Sequence, residues 1–137
     1  MTIEDIEKAH SREKQIRRLR REIKEKRSNN LPSHVKAVVV NGETHYTSGG
    51  GSGTPGDPTK KLAFELEALE ERLGREVDSQ ELFWNEVGVI PSEEIRDIIR
   101  LRVYDLKKWR KVSEIMYGLQ ASQNLAYMTL YRYFANL

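Results

Sequence analysis

The amino-acid sequence predicts a mainly α-helical protein built from separate segments rather than around one large core. Long stretches repeat apolar residues at helical spacing, and one Gly-rich stretch interrupts them. Of the 137 residues, 38% are hydrophobic and 32% are charged, so a single core across the whole chain is not expected. The predicted layout is a basic amphipathic helix at residues 1–27, a hairpin and flexible linker at residues 28–57, an acidic amphipathic helix at residues 58–88 and a helix-turn-helix domain at residues 89–137.

The first predicted helix carries a narrow apolar stripe on an otherwise charged surface. Ile16, Leu19 and Ile23 follow a 3-4 spacing, and residues 1–27 contain no Gly or Pro. Such a stripe needs a second helix to cover it, from this chain or from a partner subunit. The helix also holds four arginines, for which coiled-coil packing with a solvated basic face is favoured over contact with nucleic acid. These are Arg17, Arg18, Arg20 and Arg21.

The segment that follows is predicted to contain a short β-hairpin and then a flexible linker. Asn29, Asn30 and Pro32 end the first helix. The run VKAVVVNGETHYT then places β-branched residues around an Asn-Gly pair, which is a strong local signal for a hairpin. SGGGSGTPG has the composition of a linker, and no Gly-Lys-Ser/Thr follows it, so a nucleotide-binding loop is not predicted.

A long acidic helix is predicted next. Asp57 is suited to cap it and Pro58 to occupy its first position, while Gly88 and Pro91 stop it. The heptad-like spacing of its apolar residues indicates one packing face: Leu62, Leu66, Leu69, Leu73 and Val77. Residues 65–97 carry 11 acidic and 3 basic side chains, a balance that repels phosphate. The helix is therefore predicted to pack or to mediate homo-oligomerisation rather than to bind DNA.

The C-terminal segment is predicted to be a compact basic unit of three short helices. Residues 98–137 carry 7 basic and 2 acidic side chains. Ser92 is predicted to cap the first of these helices, and Gly118 to stop a second helix that starts near Trp109. Ser122 is predicted to cap the last helix, which would run to about Asn136. This arrangement is typical of a helix-turn-helix.

In a helix-turn-helix the second helix enters the major groove and its first residues contact base edges. Here those residues are rich in amides, which suit paired hydrogen bonds to adenine, and in tyrosines, which reach phosphates or thymine methyl groups. The predicted base contacts are Gln123, Asn124, Tyr127 and Tyr131. The predicted phosphate contacts are Lys107, Lys108, Arg110, Lys111 and Arg132. Double-stranded promoter DNA is the expected partner.

Several other classes of protein receive no support from the sequence. The chain has no cysteine, so disulfides and thiolate zinc sites are excluded. His10, His34 and His45 lie in unrelated segments, and no nucleophile or acid–base arrangement stands out, so neither an enzyme nor a cofactor is predicted. No apolar run approaches the roughly 20 residues that span a bilayer, and the acidic N-terminus is unlike a signal peptide. The expected location is the cytoplasm, without membrane attachment.

The order of several motifs in the second half of the chain resembles a known family. Gly56-Asp57-Pro58-Thr59 precedes a leucine-rich helix, and Ile90-Pro91-Ser92-Glu93 opens the next helix. Ile98-Ile99-Arg100-Leu101-Arg102 and Trp109-x-x-Val112 then precede a final helix introduced by serine. Over about residues 54–137, this order resembles the RinA/ArpU-like phage transcriptional regulators.

The resemblance implies a C-terminal helix-turn-helix similar to the promoter-binding region of sigma factors. It implies a regulator of a phage or prophage in a bacterial host, activating late genes for packaging, morphogenesis or lysis. RNA polymerase is a further candidate partner. The family's DNA-contacting positions correspond to the final helix, where Ser122, Ala126 and Tyr127 match its pattern. Ser122 therefore joins the predicted base contacts.

Two other functions stay open at this point. A small terminase subunit also joins a helix-turn-helix to oligomerising helices, and it would bind packaging-site DNA as a large ring. A protein adaptor would grip RNA polymerase or a host factor through the C-terminal helices without touching DNA. A sequence-specific regulator is favoured, and it is expected to be a homo-oligomer through its N-terminal and acidic helices because single small modules bind DNA weakly.

Overall fold

A computed structural model describes residues 1–30, 35–40, 43–48 and 58–137, with side chains for residues 1–28 and 59–137. Two strands, β1 (Val35–Val40) and β2 (Glu43–Ser48), pair antiparallel, with Val35 opposite Ser48. The Asn-Gly turn predicted between them, the Gly-rich linker and the predicted Asp57 cap lie outside the described residues. The hairpin and the linker therefore stay predictions.

Helices dominate the described chain, as the sequence predicts. They are α1 (Ile3–Asn30), α2 (Pro58–Gly88), α3 (Glu93–Val103), α4 (Trp109–Tyr117) and α5 (Leu125–Ala135). The first extends three residues beyond the predicted end at Arg27, and α2 matches its predicted range. α5 begins at Leu125, so Ser122, Gln123 and Asn124 lie in the connection before the helix rather than in its first turn.

The described chain packs as two compact units, whose boundary cuts α1 after Ile16 and α2 after Arg75. One unit comprises residues 1–16 and 76–137, and the other comprises residues 17–75. The four-segment division made from the sequence stays a prediction. The unit that contains α3, α4 and α5 also contains the first half of α1. The C-terminal helices therefore share their core with the beginning of the chain.

The core of the first unit combines residues that are far apart in the sequence. Ile6 and Ala9 of α1 are fully buried in it, together with Phe83 and Val87 from the end of α2. The remaining buried members come from the segment after α2 and from the three short helices: Ile90, Ile95, Ile98, Ile99, Val103, Val112, Ala126 and Leu130. A second tie is polar, since buried Gln80 donates hydrogen bonds to the Ala9 carbonyl (3.0 Å) and to Glu13 (3.2 Å).

In the second unit the later part of α1 buries Leu19 and Ile23. Lys26 pairs with Glu65 of α2 at 3.1 Å, and Arg27 pairs with Glu70. The stripe of α1 is thus buried within a single chain, and its burial needs no partner subunit. Homo-oligomerisation through these helices stays a prediction.

Candidate nucleic-acid interface

The connection between α4 and α5 is held by a buried serine. Ser113 of α4 has no exposed surface. Its hydroxyl donates a hydrogen bond to the Gln123 carbonyl (3.2 Å) and accepts one from the backbone N–H of Ala126 (3.0 Å). Ala126 lies in the first turn of α5, where backbone N–H groups lack partners within the helix. Ser113 therefore caps α5 from the neighbouring helix.

This contact corrects the prediction that Ser122 caps the last helix. The residue at the cap position of α5 is Asn124, and its side chain makes no capping hydrogen bond. Ser122 is exposed, and its backbone carbonyl accepts from the N–H of Leu125 at 3.1 Å. The prediction was wrong because a local Ser pattern was assigned a role that Ser113 fulfils through tertiary packing.

The connection before α5 exposes polar side chains. Ser122, Gln123 and Asn124 are all exposed, as is Tyr131 nearly two turns into the helix. Met128 is 37% exposed, and no pattern in the sequence assigned it to this surface. The predicted base contacts are thus accessible, but the first three are presented by a connection rather than by a helix.

Tyr127 differs from the other predicted base contacts because it is half-buried. Its ring meets the ring of Trp109 edge-to-face, with the centroids 5.3 Å apart. An edge-to-face aromatic pair adds stability beyond the buried area. Tyr127 therefore anchors α5 to the start of α4 and keeps part of its surface on the outside.

Trp109 itself is held by the ion pair between Arg102 of α3 and Glu7 of α1. Arg102 of α3 lies over the indole ring, its guanidinium carbon 4.9 Å from the centroid. Arg102 donates hydrogen bonds to both carboxylate oxygens of Glu7, at 3.2 and 2.8 Å, and the Trp109 Nε1–H donates to Glu7 at 2.9 Å. Arg102 also donates to the Lys107 carbonyl at 2.9 Å. Arg102 is thus committed to the interior and is not available to phosphate.

This cluster affects the pKa values of two titratable groups of α1. Burial by itself raises the pKa of Glu7, but the hydrogen bonds and charge of Arg102, with the bond from Trp109, outweigh it and leave the pKa below its usual value. Burial lowers the pKa of His10, and the charge of Arg102 acts in the same direction. The His10 Nδ1–H donates to the Arg102 carbonyl at 2.8 Å, so the neutral ring suffices to make this bond.

The turn between α3 and α4 contains the one non-glycine residue in the described chain with a positive φ. Leu106 has φ 55°, a left-handed conformation that costs an L-residue about 1–2 kcal/mol. The Lys107 N–H donates across this turn to the Leu101 carbonyl at 3.1 Å. Lys107 and Lys108 follow this turn directly, and α4 begins at the next residue, Trp109.

The predicted phosphate contacts lie on and beside α4. Lys108, Arg110 and Lys111 are exposed, and Lys107 is half-buried. Arg110 and Lys111 share a single carboxylate, that of Glu114, at 3.6 and 3.5 Å. Exposed pairs of this kind are worth about 1 kcal/mol or less, so these cations can exchange Glu114 for a phosphate. Arg132 is exposed on α5.

Sequence patterns did not identify the contacts made by Glu7, Arg102 or Ser113. Glu7 and Arg102 lie 95 positions apart in the chain, and local residue spacing cannot predict a contact over that distance. Ser113 lies within a short amphipathic helix where serine is ordinarily a neutral surface residue. Only the combination of a serine on the buried side of α4 and a following helix without a side-chain cap would have pointed to it.

The described residues also bear on metal binding and membrane insertion. Those residues contain no group of three or more His, Asp or Glu side chains placed to hold a metal ion. None of the helices they form is both long and apolar enough to traverse a bilayer. Of the three histidines, His10 occupies the buried position given above, and the side chains of His34 and His45 lie outside the described part.

No protein family model, no curated protein and no solved structure matches the chain.

Proposed function

We propose that α4, the connection after it and α5 form a helix-turn-helix that binds double-stranded DNA, and that the protein is a sequence-specific transcriptional regulator. The observation that carries the proposal is the Ser113 anchor. It fixes the beginning of α5 against α4 while Ser122, Gln123 and Asn124 stay exposed beside it. A groove-reading helix requires this combination of a rigid base and an accessible polar edge.

Charge supports the same surface. Lys108, Arg110 and Lys111 are exposed next to the start of α4, and in the described chain Arg110 and Lys111 share Glu114 as their carboxylate partner. In a helix-turn-helix the flanking loops and first helix hold phosphates and the second helix reads bases. The cations would supply most of the affinity, and the amides of Gln123 and Asn124 would supply the discrimination between base pairs.

The biological setting of the proposal rests on the resemblance to RinA/ArpU-like regulators. On that basis the target is promoter DNA of a phage or prophage, and the regulated genes are late genes for packaging, morphogenesis or lysis. RNA polymerase would be a second partner at the promoter. The cellular setting would then be the cytoplasm of a bacterial host.

The test begins with duplexes selected from a random library by the purified full chain. Lys108→Glu combined with Lys111→Glu is expected to weaken binding to the selected duplex at least about 100-fold, which corresponds to about 2.7 kcal/mol. The matched control is Lys60→Glu with Lys61→Glu, two exposed cations of α2 that produce the same change in net charge. Fluorescence anisotropy at several salt concentrations measures both, and circular dichroism confirms that both variants stay helical. Equal affinity of the two double variants would refute the assignment, as would a library from which no sequence is enriched.

The same preparation separates the two competing functions. A mass between monomer and tetramer from light scattering fits a regulator, whereas a large ring fits a small terminase subunit. Capture of RNA polymerase by a chain that enriches no DNA sequence would favour an adaptor.

A further inference from the structure

We propose that α1 carries a second surface for the phosphate backbone of duplex DNA, formed by Arg18, Arg20, Arg21 and Lys24. We call these four residues the α1 cation row. The surface lies in the second packed unit and shares no residue with α4 or α5. It goes beyond the proposed function because it requires neither base reading nor a defined operator.

The first observation is that the cations of the row are exposed and unpaired. All four are exposed, whereas Leu19 and Ile23 between them are buried. In the described part of the chain none of the four forms an ion pair, although nearby Lys26 and Arg27 pair with Glu65 and Glu70. Residues 17–27 hold seven Lys or Arg and two Glu, a net charge of +5. The acidic face of α2 therefore neutralises the edge of α1 that it touches and leaves the row unneutralised.

The second observation is the geometry of the row. Arg18 and Arg21 are three positions apart and Arg20 and Lys24 are four apart, so each pair is adjacent on the helix surface. At 1.5 Å per residue the row extends about 9 Å along the helix axis. This length matches three to four successive phosphates of one DNA strand, which lie about 3.4 Å apart along the duplex axis.

A nucleic-acid backbone fits the row better than an anionic membrane or a protein. A helix that lies on a membrane inserts an exposed apolar face, but the apolar residues here, Ile16, Leu19 and Ile23, are already buried. A protein interface needs an apolar centre surrounded by a polar rim, and the row contains only cations. Phosphate contacts need cations alone, because their free energy comes from the release of condensed counterions.

The test is the salt dependence of binding of the full chain to a duplex of unrelated sequence. The variant replaces all four residues by glutamine, R18Q, R20Q, R21Q and K24Q; glutamine is a good helix former, so exposed positions of α1 tolerate it. Four lost phosphate contacts correspond to a change of about 3.6 in the slope of log K against log salt concentration, and we expect a loss of at least about 2. The matched control removes four exposed cations of α2 by the same change, K60Q, K61Q, R72Q and R75Q. We expect its slope to stay within about 0.5 of the wild-type value.

A further variant, R18K, R20K and R21K, keeps the charge and is expected to keep the slope. It separates loss of charge from loss of helix, which thermal unfolding followed by circular dichroism also monitors. The inference is overturned if the glutamine variant and the α2 control have the same slope, or if the loss appears with single-stranded RNA and not with duplex DNA. The outcome is independent of the proposed function, which depends on Lys108 and Lys111 and on an enriched sequence.

Discussion

The hydroxyl of Ser113 accepts a hydrogen bond of 3.0 Å from the backbone N–H of Ala126, so a residue of α4 caps α5. Ala126 is fully buried, and water cannot replace this acceptor. The buried hydroxyl oxygen of Ser113 thus ties the connection before α5 to α4.

Replacing Ser113 by alanine is expected to lower the free energy of unfolding by about 1–3 kcal/mol, because it leaves a buried N–H without a partner. Urea denaturation followed by tryptophan fluorescence measures the change, since Trp84 and Trp109 both lie in the first unit. Ser122→Ala is the matched control. Its exposed side chain makes no capping bond, and its effect is expected to stay within about 0.5 kcal/mol. If Ser122→Ala costs more than Ser113→Ala, the cap belongs to Ser122 after all.

Replacing Glu7 by glutamine is expected to destabilise the first unit by about 1–2 kcal/mol. The Arg102 side chain is only 12% exposed and would lose its counter-charge, but Glu7 is 40% exposed, so the loss stays below the roughly 3–5 kcal/mol of a fully buried broken pair. Because the pKa of Glu7 is lowered by folding, its contribution is present above the ordinary pKa and fades as the pH falls through the acid range below it. Urea titrations across that range should show weaker acid destabilisation in Glu7→Gln than in exposed Glu4→Gln. Identical pH profiles would contradict the assignment.

His10 is expected to make stability sensitive to mild acid. Folding lowers its pKa, so the unfolded chain binds the proton more readily and stability falls as the pH drops below about 6.5. His10→Asn keeps a side-chain donor for the Arg102 carbonyl but removes the titration. Between about pH 7 and 5 the variant should therefore lose less stability than the wild type, as measured by thermal unfolding at each pH. A wild-type profile that is flat over this interval would contradict the prediction.

Replacing Gln123 and Asn124 by alanine separates base reading from phosphate contact, if the proposed function holds. Both side chains are exposed and uncharged, so the double variant should leave stability and the salt slope unchanged. Affinity for the selected duplex should fall by about 1–3 kcal/mol per lost base contact, while affinity for unrelated DNA stays constant. Anisotropy titrations on the two duplexes give both numbers. A parallel loss on both would assign these residues to the backbone instead.

Local patterns predicted the helices of this chain well. Ser92 does cap α3, accepting from the Ile95 N–H at 3.4 Å, and Gly118 ends α4 with φ 98°. Both roles depend on a few neighbouring residues, so the sequence alone contains the information. The start of α5 was misplaced because its cap comes from Ser113, ten residues away from the Gln123 carbonyl that it also binds.

The partners of α1 were harder to predict, because an apolar stripe indicates that a helix is covered but not by what. The pattern left an internal helix and a second subunit open, and the structure buries Ile6 and Ala9 beside residues of α3, α4 and α5. The Glu7–Arg102 pair could not be predicted from the sequence for the same reason. No local pattern identifies either residue as the partner of the other.

The Glu7–Arg102 contact also bears on the order in which the chain folds. It closes a loop of 95 positions, and loop closure over such a distance must be achieved before the contact contributes any stability. The contacts among α3, α4 and α5 span far fewer residues, so we expect these three helices to associate first and the beginning of α1 to dock on them afterwards. The first residues of the chain would then complete the unit last, and the Trp109 side chain would exchange water for the Glu7 carboxylate only in that final step.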